Sequence, residues 1–229
     1  MLREASDSGR EQELSTINHQ PSTPFPLAML LSGTGRTLEN LLSVIARGEL
    51  AACVRVVVST RAGVRGLAVA AAHGIPAVTI DRRAVPDDHA FSDAVYEALA
   101  PYAPRLLVLG GFLRRLEIRP EWVGRIVNVH PSLLPAFGGK GMYGRHVHEA
   151  VLAYGVKLSG CTVHFVDEDY DQGPIILQRA VPVLQDDTPE TLAARVFAAE
   201  CAAYPEAIRL FIAGRLTLRG RRVYVSDER

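Results

Sequence analysis

Leu27-Ala28-Met29-Leu30-Leu31-Ser32-Gly33-Thr34-Gly35-Arg36-Thr37-Leu38 is the stretch that decides the fold. Five consecutive apolar residues with no polar alternation mark a strand covered on both faces, as in a parallel sheet. Two glycines then stop the strand, and Thr37–Arg47 carries apolar residues at helical spacing. Strand, glycine turn and helix in so short a span open a βα unit.

The same apolar runs recur at Val54–Val58, Ala77–Ile80, Leu106–Leu109 and Ile126–Val129. Between them Val64–His73, Asp87–Leu99 and Arg119–Val123 read as helices, with Gly74 as a C-cap. This alternation predicts an α/β fold: a doubly wound, mostly parallel sheet with right-handed crossovers, in a single domain. Beyond residue 130 come a glycine-rich loop (Gly138, Gly139, Gly141, Gly144) and a helix from about Arg145 to Tyr154. Two strand-like runs follow, Cys161–Val166 and Ile175–Val183, joined by the acidic turn Asp167–Asp171. Thr188 as N-cap and Pro189 at the first position open a long helix, expected to break near Pro205 and end around Gly214. Leu216–Val225, with Gly220 at its middle, predicts a terminal hairpin. Residues 1–26 mix both charge signs with Pro21, Pro24 and Pro26 and read as a disordered leader outside the fold.

Charge and cysteine usage exclude whole classes of function. Twenty-five basic residues balance 25 acidic ones, so no global field draws the chain to nucleic acid or to an anionic membrane. The leader lacks the apolar segment of a secretory signal, and no apolar run reaches the ~20 residues that span a bilayer. Cys53, Cys161 and Cys201 stand far apart without a CxxC pair, which argues against a disulfide framework or a zinc knuckle and fits a reducing cytoplasm.

Chemistry concentrates in Asn128-Val129-His130-Pro131-Ser132-Leu133-Leu134-Pro135. On a strand, residues two apart share a face, so Asn128 and His130 point together and Val129 points away. An amide donor beside a group titrating near neutrality suits acyl transfer or hydrolysis, although a histidine at a strand end also serves as a plain hydrogen-bonding strut. Ser32–Leu38 presents glycine backbone and a helix N-terminus, the elements of a phosphate site, or else a simple tight turn. Leu38 occupies the third glycine position of the dinucleotide fingerprint, so a phosphate monoester fits better than NAD or ATP. Asp167-x-Asp169-x-Asp171 lacks the glycine and glutamate of a calcium loop, having Gln172 and Gln178 there; it is a solvated turn or a means of aiming Asp171. His146 and His148 diverge on a helix, which argues against a metal site. Arg114-Arg115 follows a strand's carboxyl end, where ligands lie in open α/β sheets, whereas Arg219, Arg221 and Arg222 read as a solvated hairpin face.

Taken in order, Ser32–Gly35, Gly110-Gly111-Phe112-Leu113-Arg114, Asn128–Pro135, Thr162–Val166 and Asp171-Gln172-Gly173-Pro174-Ile175-Ile176 resemble the folate-dependent formyltransferases. Within that group the glycine loop resembles the phosphoribosylglycinamide formyltransferase branch, from about Leu27 to Phe211. The resemblance implies a Rossmann-like formyltransferase domain over 27–229. Residues 27–127 would form its phosphate-binding half and 128–213 its catalytic and folate half, with 214–229 as the hairpin. It implies Asn128, His130 and Asp171 as the catalytic trio, and Gly35, Arg36, Thr37 and Glu200 as contacts to glycinamide ribonucleotide and its phosphate. Leu113, Arg114, Arg115 and Leu116, with Asn128 and Asp171, would line the folate pocket. The co-substrate would be 10-formyltetrahydrofolate, with no metal, nucleic acid or membrane involved.

Three departures from the family pattern stand out: Arg36-Thr37 replaces a common serine–asparagine pair, and the Gly138–Gly144 loop is longer, with Lys140 and Tyr143 as further contacts. No arginine clearly matches the one expected at the folate tail, leaving Arg82 or Arg83. A formyltetrahydrofolate hydrolase resembles the same pattern but would need a further domain, for which the leader is expected to be too short. A non-catalytic phosphometabolite binder is the remaining alternative.

Overall fold

A computed structural model describes residues 23–227. Its elements are β1 (Phe25–Leu31), α1 (Arg36–Ala46), β2 (Ala52–Ser59), α2 (Arg65–Ala72), β3 (Ala77–Thr79), α3 (Asp88–Leu99), β4 (Leu106–Leu109) and β5 (Ile126–His130). Then follow α4 (Arg145–Tyr154), β6 (Leu158–Phe165), β7 (Ile175–Pro182), α5 (Pro189–Ile212), β8 (Leu216–Arg219) and β9 (Arg222–Val225). Phe25 and Pro26, expected in the leader, stand in β1, where Phe25 N–H bonds to the Ala51 carbonyl. Residues 1–22 of the expected leader lie outside the described residues.

Seven strands form one sheet in the order β3-β2-β1-β4-β5-β6-β7, and β8–β9 make a separate hairpin. β1 to β5 are parallel, while β6 and β7 are antiparallel additions. Both faces of the parallel part are covered, as its apolar runs require. Leu27, Met29 and Leu31 pack with Leu38 and Leu41 of α1, Val69 of α2, Val147 of α4 and Val196 of α5. Ala28 and Leu30, pointing the other way, pack with Phe91, Val95 and Leu99 of α3. From β1 the chain winds outward to β2 and β3, then returns past β1 to β4. The strand order therefore reverses between β1 and β4, and the crevice beyond their carboxyl ends is where an open α/β sheet binds ligands.

Two sequence expectations give way here. Arg119–Val123 is only a single 3₁₀ turn, Pro120–Trp122, because Gly124 in the left-handed region ends it within one turn. α5 runs unbroken through Pro205. Proline has no N–H for the carbonyl four residues back, here that of Cys201; the Asn40 side-chain amide supplies a donor to that oxygen at 3.0 Å instead. The expected start is observed, with Thr188 capping α5 in a reciprocal pair of bonds with Thr191 and Pro189 first in the helix.

Candidate active site

At the β1–β4 crevice lies a cavity of about 1070 Å³. That lies at the upper end of the usual ligand-pocket range of roughly 300–1,000 Å³. One end is the turn after β1. Gly35 has φ 74°, and a Cβ there would stand 2.5 Å from the Gly66 Cα, so the turn packs backbone to backbone on the start of α2. Gly66 N–H bonds to the Gly33 carbonyl, and Arg65 bonds to the Thr34 carbonyl while pairing with Glu39. Buried Ser32 is a knot: its hydroxyl oxygen accepts from Thr60 at 2.7 Å and from Leu113 N–H at 3.2 Å, tying together the ends of β1, β2 and β4. No side chain caps α1, so its first N–H groups are left to whatever enters the cavity.

Gly35, Arg36, Thr37 and Glu200 all line this end. The Arg36 guanidinium stacks on the Phe197 ring, 3.7 Å from its centroid. Phe197 and Glu200 project from the same face of α5, three residues apart. Burial pushes the Glu200 carboxyl up to about 7, with Arg36 pulling the other way.

At the other end stand Asn128, His130 and Asp171. Asn128 and His130 share a face at the end of β5, as alternation predicts, and both line the cavity. Asp171 arrives from the turn after β6 with φ 58°, a strained conformation for a residue with a side chain. Its turn is forced by Gly173, where a Cβ would lie 1.8 Å from the Phe165 carbonyl oxygen. His130 Nε2 donates to the Phe137 carbonyl at 2.8 Å, and Nδ1 faces Asp171 Oδ2 at 3.4 Å. Both ring nitrogens thus face oxygen atoms. The same Asp171 oxygen accepts from Gly139 N–H at 2.9 Å, docking the glycine-rich loop against the trio.

Sequence reasoning missed His164 as a site residue. Antiparallel pairing sets it opposite Asn128, whose Nδ2 lies 3.2 Å from His164 Nε2. His164 Nδ1 faces its neighbour's carbonyl, that of Phe165, at 2.8 Å. Burial lowers its pKa, so the ring is neutral with Nδ1–H donating and Nε2 accepting from Asn128. One amide hydrogen of Asn128 is thereby fixed and the other remains for a ligand. The available signal was a histidine set between Val163 and Phe165 in a buried strand. His148 was also underweighted: it is buried in the cavity wall with Nδ1 unpartnered, while His146 points outward to Glu149, the divergence a helix imposes.

The folate-side expectations divide. Leu113 and Arg114 line the cavity together with Lys140 and Tyr143. Arg115 instead pairs with Glu168 at 3.3 Å, and Leu116 is packed into the α3 side of the core, so neither side chain reaches the cavity. Arg83 lines the cavity wall but is paired with Asp81 at 2.7 Å; the Arg82 side chain lies outside the described residues. Arg221, expected on a solvated face, bonds to the Gln172 carbonyl beside Asp171. The described residues contain no group of three or more His, Cys, Asp or Glu arranged to hold a metal, and no helix among them is long and apolar enough to cross a membrane.

A glycine turn at a helix N-terminus and an amide–imidazole–carboxylate cluster thus line one crevice. Comparison with known proteins gives the family. The formyl transferase family profile matches residues 26–208. A trifunctional purine biosynthetic protein adenosine-3 from Bos taurus is 41% identical over 207 residues, 88% of this chain but 20% of that protein. This chain thus spans about a fifth of its length. The chloroplastic phosphoribosylglycinamide formyltransferase of Arabidopsis thaliana is 35% identical, with 90% of this chain and 72% of that protein covered. The crystal structure of glycinamide ribonucleotide transformylase 1 from Symbiobacterium toebii superposes with a TM-score of 0.82 at 43% identity, covering 89% and 95% of the two chains. The chain belongs to the formyl transferase family, in its phosphoribosylglycinamide formyltransferase branch.

Proposed function

We propose that this chain transfers the formyl group of 10-formyltetrahydrofolate to the primary amine of glycinamide ribonucleotide, a step of purine biosynthesis. The observation that carries the reading is that Asn128, His130 and Asp171 meet at one end of a cavity whose other end is the Gly33–Thr37 turn. The ribonucleotide phosphate would lie on the first N–H groups of α1 beside Arg36, with Glu200 accepting from the ribose side. The folate would enter past Leu113 and Arg114, under the Asp167–Asp171 turn.

The amine nitrogen attacks the formyl carbon, forming a C–N bond and placing negative charge on the formyl oxygen. The free Asn128 N–H donates to that oxygen; His130, whose Nε2–H is taken by the Phe137 carbonyl, offers Nδ1–H from its 3.4 Å approach to Asp171 as the second donor. Asp171 takes the proton that the attacking amine loses, and the proton passes to N10 of the folate as the C–N10 bond breaks. Oxyanion donors of this kind are worth about 2.7–4 kcal/mol each, and positioned acid–base groups about 10²–10⁴ in rate. No covalent enzyme intermediate is required. A cytoplasmic setting belongs to the same proposal and is supported by three free cysteines.

The test is turnover of His130→Ala and Asp171→Asn. Each should lose about two to four orders of magnitude in kcat, with ribonucleotide affinity nearly unchanged. Near-parental turnover in either variant removes that residue from the chemistry.

A further inference from the structure

Two rungs join α1 to α5. Arg36 stacks on Phe197, and one turn further along both helices the Asn40 amide donates to the Cys201 carbonyl. The second rung exists because of Pro205. An ordinary residue there would donate its N–H to the Cys201 oxygen; proline cannot, and the oxygen accepts from Asn40 of α1 instead. Cys201 directly follows Glu200, and Asn40 lies one turn below Arg36 at the mouth of α1. Tyr204, next to Pro205 and fully buried, places its hydroxyl 2.8 Å from the carbonyls of both Leu109 and Val127, the residues just before the β4 loop and Asn128. The Glu200–Pro205 segment of α5 therefore touches α1 on one side and, on the other, the end of β4 and the strand β5 that bears Asn128 and His130.

We propose that Asn40 is a positioning residue: by capping the carbonyl that Pro205 frees, it sets the register of α1 against α5 and hence the spacing between the Gly33–Thr37 turn and Glu200. Asn40 touches no reacting atom. Its effect falls on binding of the phosphorylated ribose and not on the formyl-transfer step, because the Asn128, His130 and Asp171 side chains are held by β5, β6 and their loops. The assignment of the phosphorylated ribose to this end of the cavity rests on the proposed function above.

The test is a mutant cycle read by calorimetric binding of ribose 5-phosphate, which needs no folate and no turnover. Asn40→Leu should weaken binding about tenfold, a modest share of what ångström-scale misplacement costs. In steady-state assays it should raise KM for the ribonucleotide by a similar factor, with kcat and the folate KM unchanged. Pro205→Ala restores an N–H to the Cys201 carbonyl, so adding Asn40→Leu to that background should change binding less than twofold. If the leucine variant folds poorly by circular dichroism, Asn40→Ala gives the same readout with less crowding. Unchanged affinity of the Asn40 variant, or an equal loss in both backgrounds, overturns the proposal while leaving the proposed function standing. A parent protein that fails to bind ribose 5-phosphate overturns the reading of the site itself, and the proposal with it.

Discussion

Replacing Gly35 by alanine separates backbone strain from loop packing, because the fold contains a matched control. Gly35 and Gly48 share φ 74°, so alanine at either position meets the same left-handed penalty of about 1–2 kcal/mol. Both also gain the same ~0.4–1 kcal/mol from a less flexible unfolded chain. Their surroundings differ. Around a Gly48 Cβ nothing lies within 4 Å, whereas a Gly35 Cβ would be 2.5 Å from the Gly66 Cα. Ordinary contact begins near 3.4 Å, so the turn and the start of α2 must part by about an ångström. Overpacking of that kind costs about 1–3 kcal/mol, which is the predicted stability difference between the two variants. In thermal unfolding this corresponds to a gap of about 2–4 °C per kcal/mol for a chain of this size. If the Gly33–Thr37 turn holds the ribonucleotide phosphate as proposed, moving it by an ångström should also raise KM for the ribonucleotide by about 10–100-fold in Gly35→Ala, with Gly48→Ala at the parental value. If the two variants melt together and bind the ribonucleotide alike, the close packing of the turn on α2 has no energetic or functional weight and the reasoning fails.

Glu200 should leave a pH signature in stability. Its carboxyl is raised from 4.5 to about 7 by burial, so between those values the folded chain holds a proton that the unfolded chain has lost. Folding stability then falls as pH rises from about 4.5 through 7. Glu200→Gln should therefore be stabilised relative to the parent at pH 8 and not at pH 4; equal differences at both, measured in urea titrations, would contradict the burial argument. The same variant should raise KM for the ribonucleotide, checked in steady-state assays. His164→Leu should lower kcat by about tenfold or more, since the Asn128 amide loses the partner that fixes its rotation. An unchanged kcat would show that β5 alone orients the amide.

The parallel half of the sheet was legible because strands buried on both faces have an unbroken apolar signature. Val54–Val58 lies within β2 and Leu106–Leu109 coincides with β4. α4 coincides with Arg145–Tyr154 because left-handed Gly155 stops it where the apolar spacing ends. Pro205 misled because its local cost is met from elsewhere, by an asparagine on a different helix, and no window of sequence contains both. His164 escaped for a related reason: its significance lies in the antiparallel register that sets it against Asn128, and register is decided by the whole sheet. Arg115 was assigned to the folate pocket by resemblance; its side chain pairs with Glu168 across the turn, a contact that no local stretch of sequence announces. That Asn128 and His130 share a face was readable from strand alternation, whereas Asp171 was singled out by the resemblance and not by its local pattern.

The most direct test incubates the protein with 10-formyltetrahydrofolate, with and without glycinamide ribonucleotide, and follows release of tetrahydrofolate together with formation of the formylated ribonucleotide. Amine-dependent release with one formylated ribonucleotide per tetrahydrofolate is the predicted result. Release that proceeds equally without the amine, or no release in either case, would contradict formyl transfer as the function of this site.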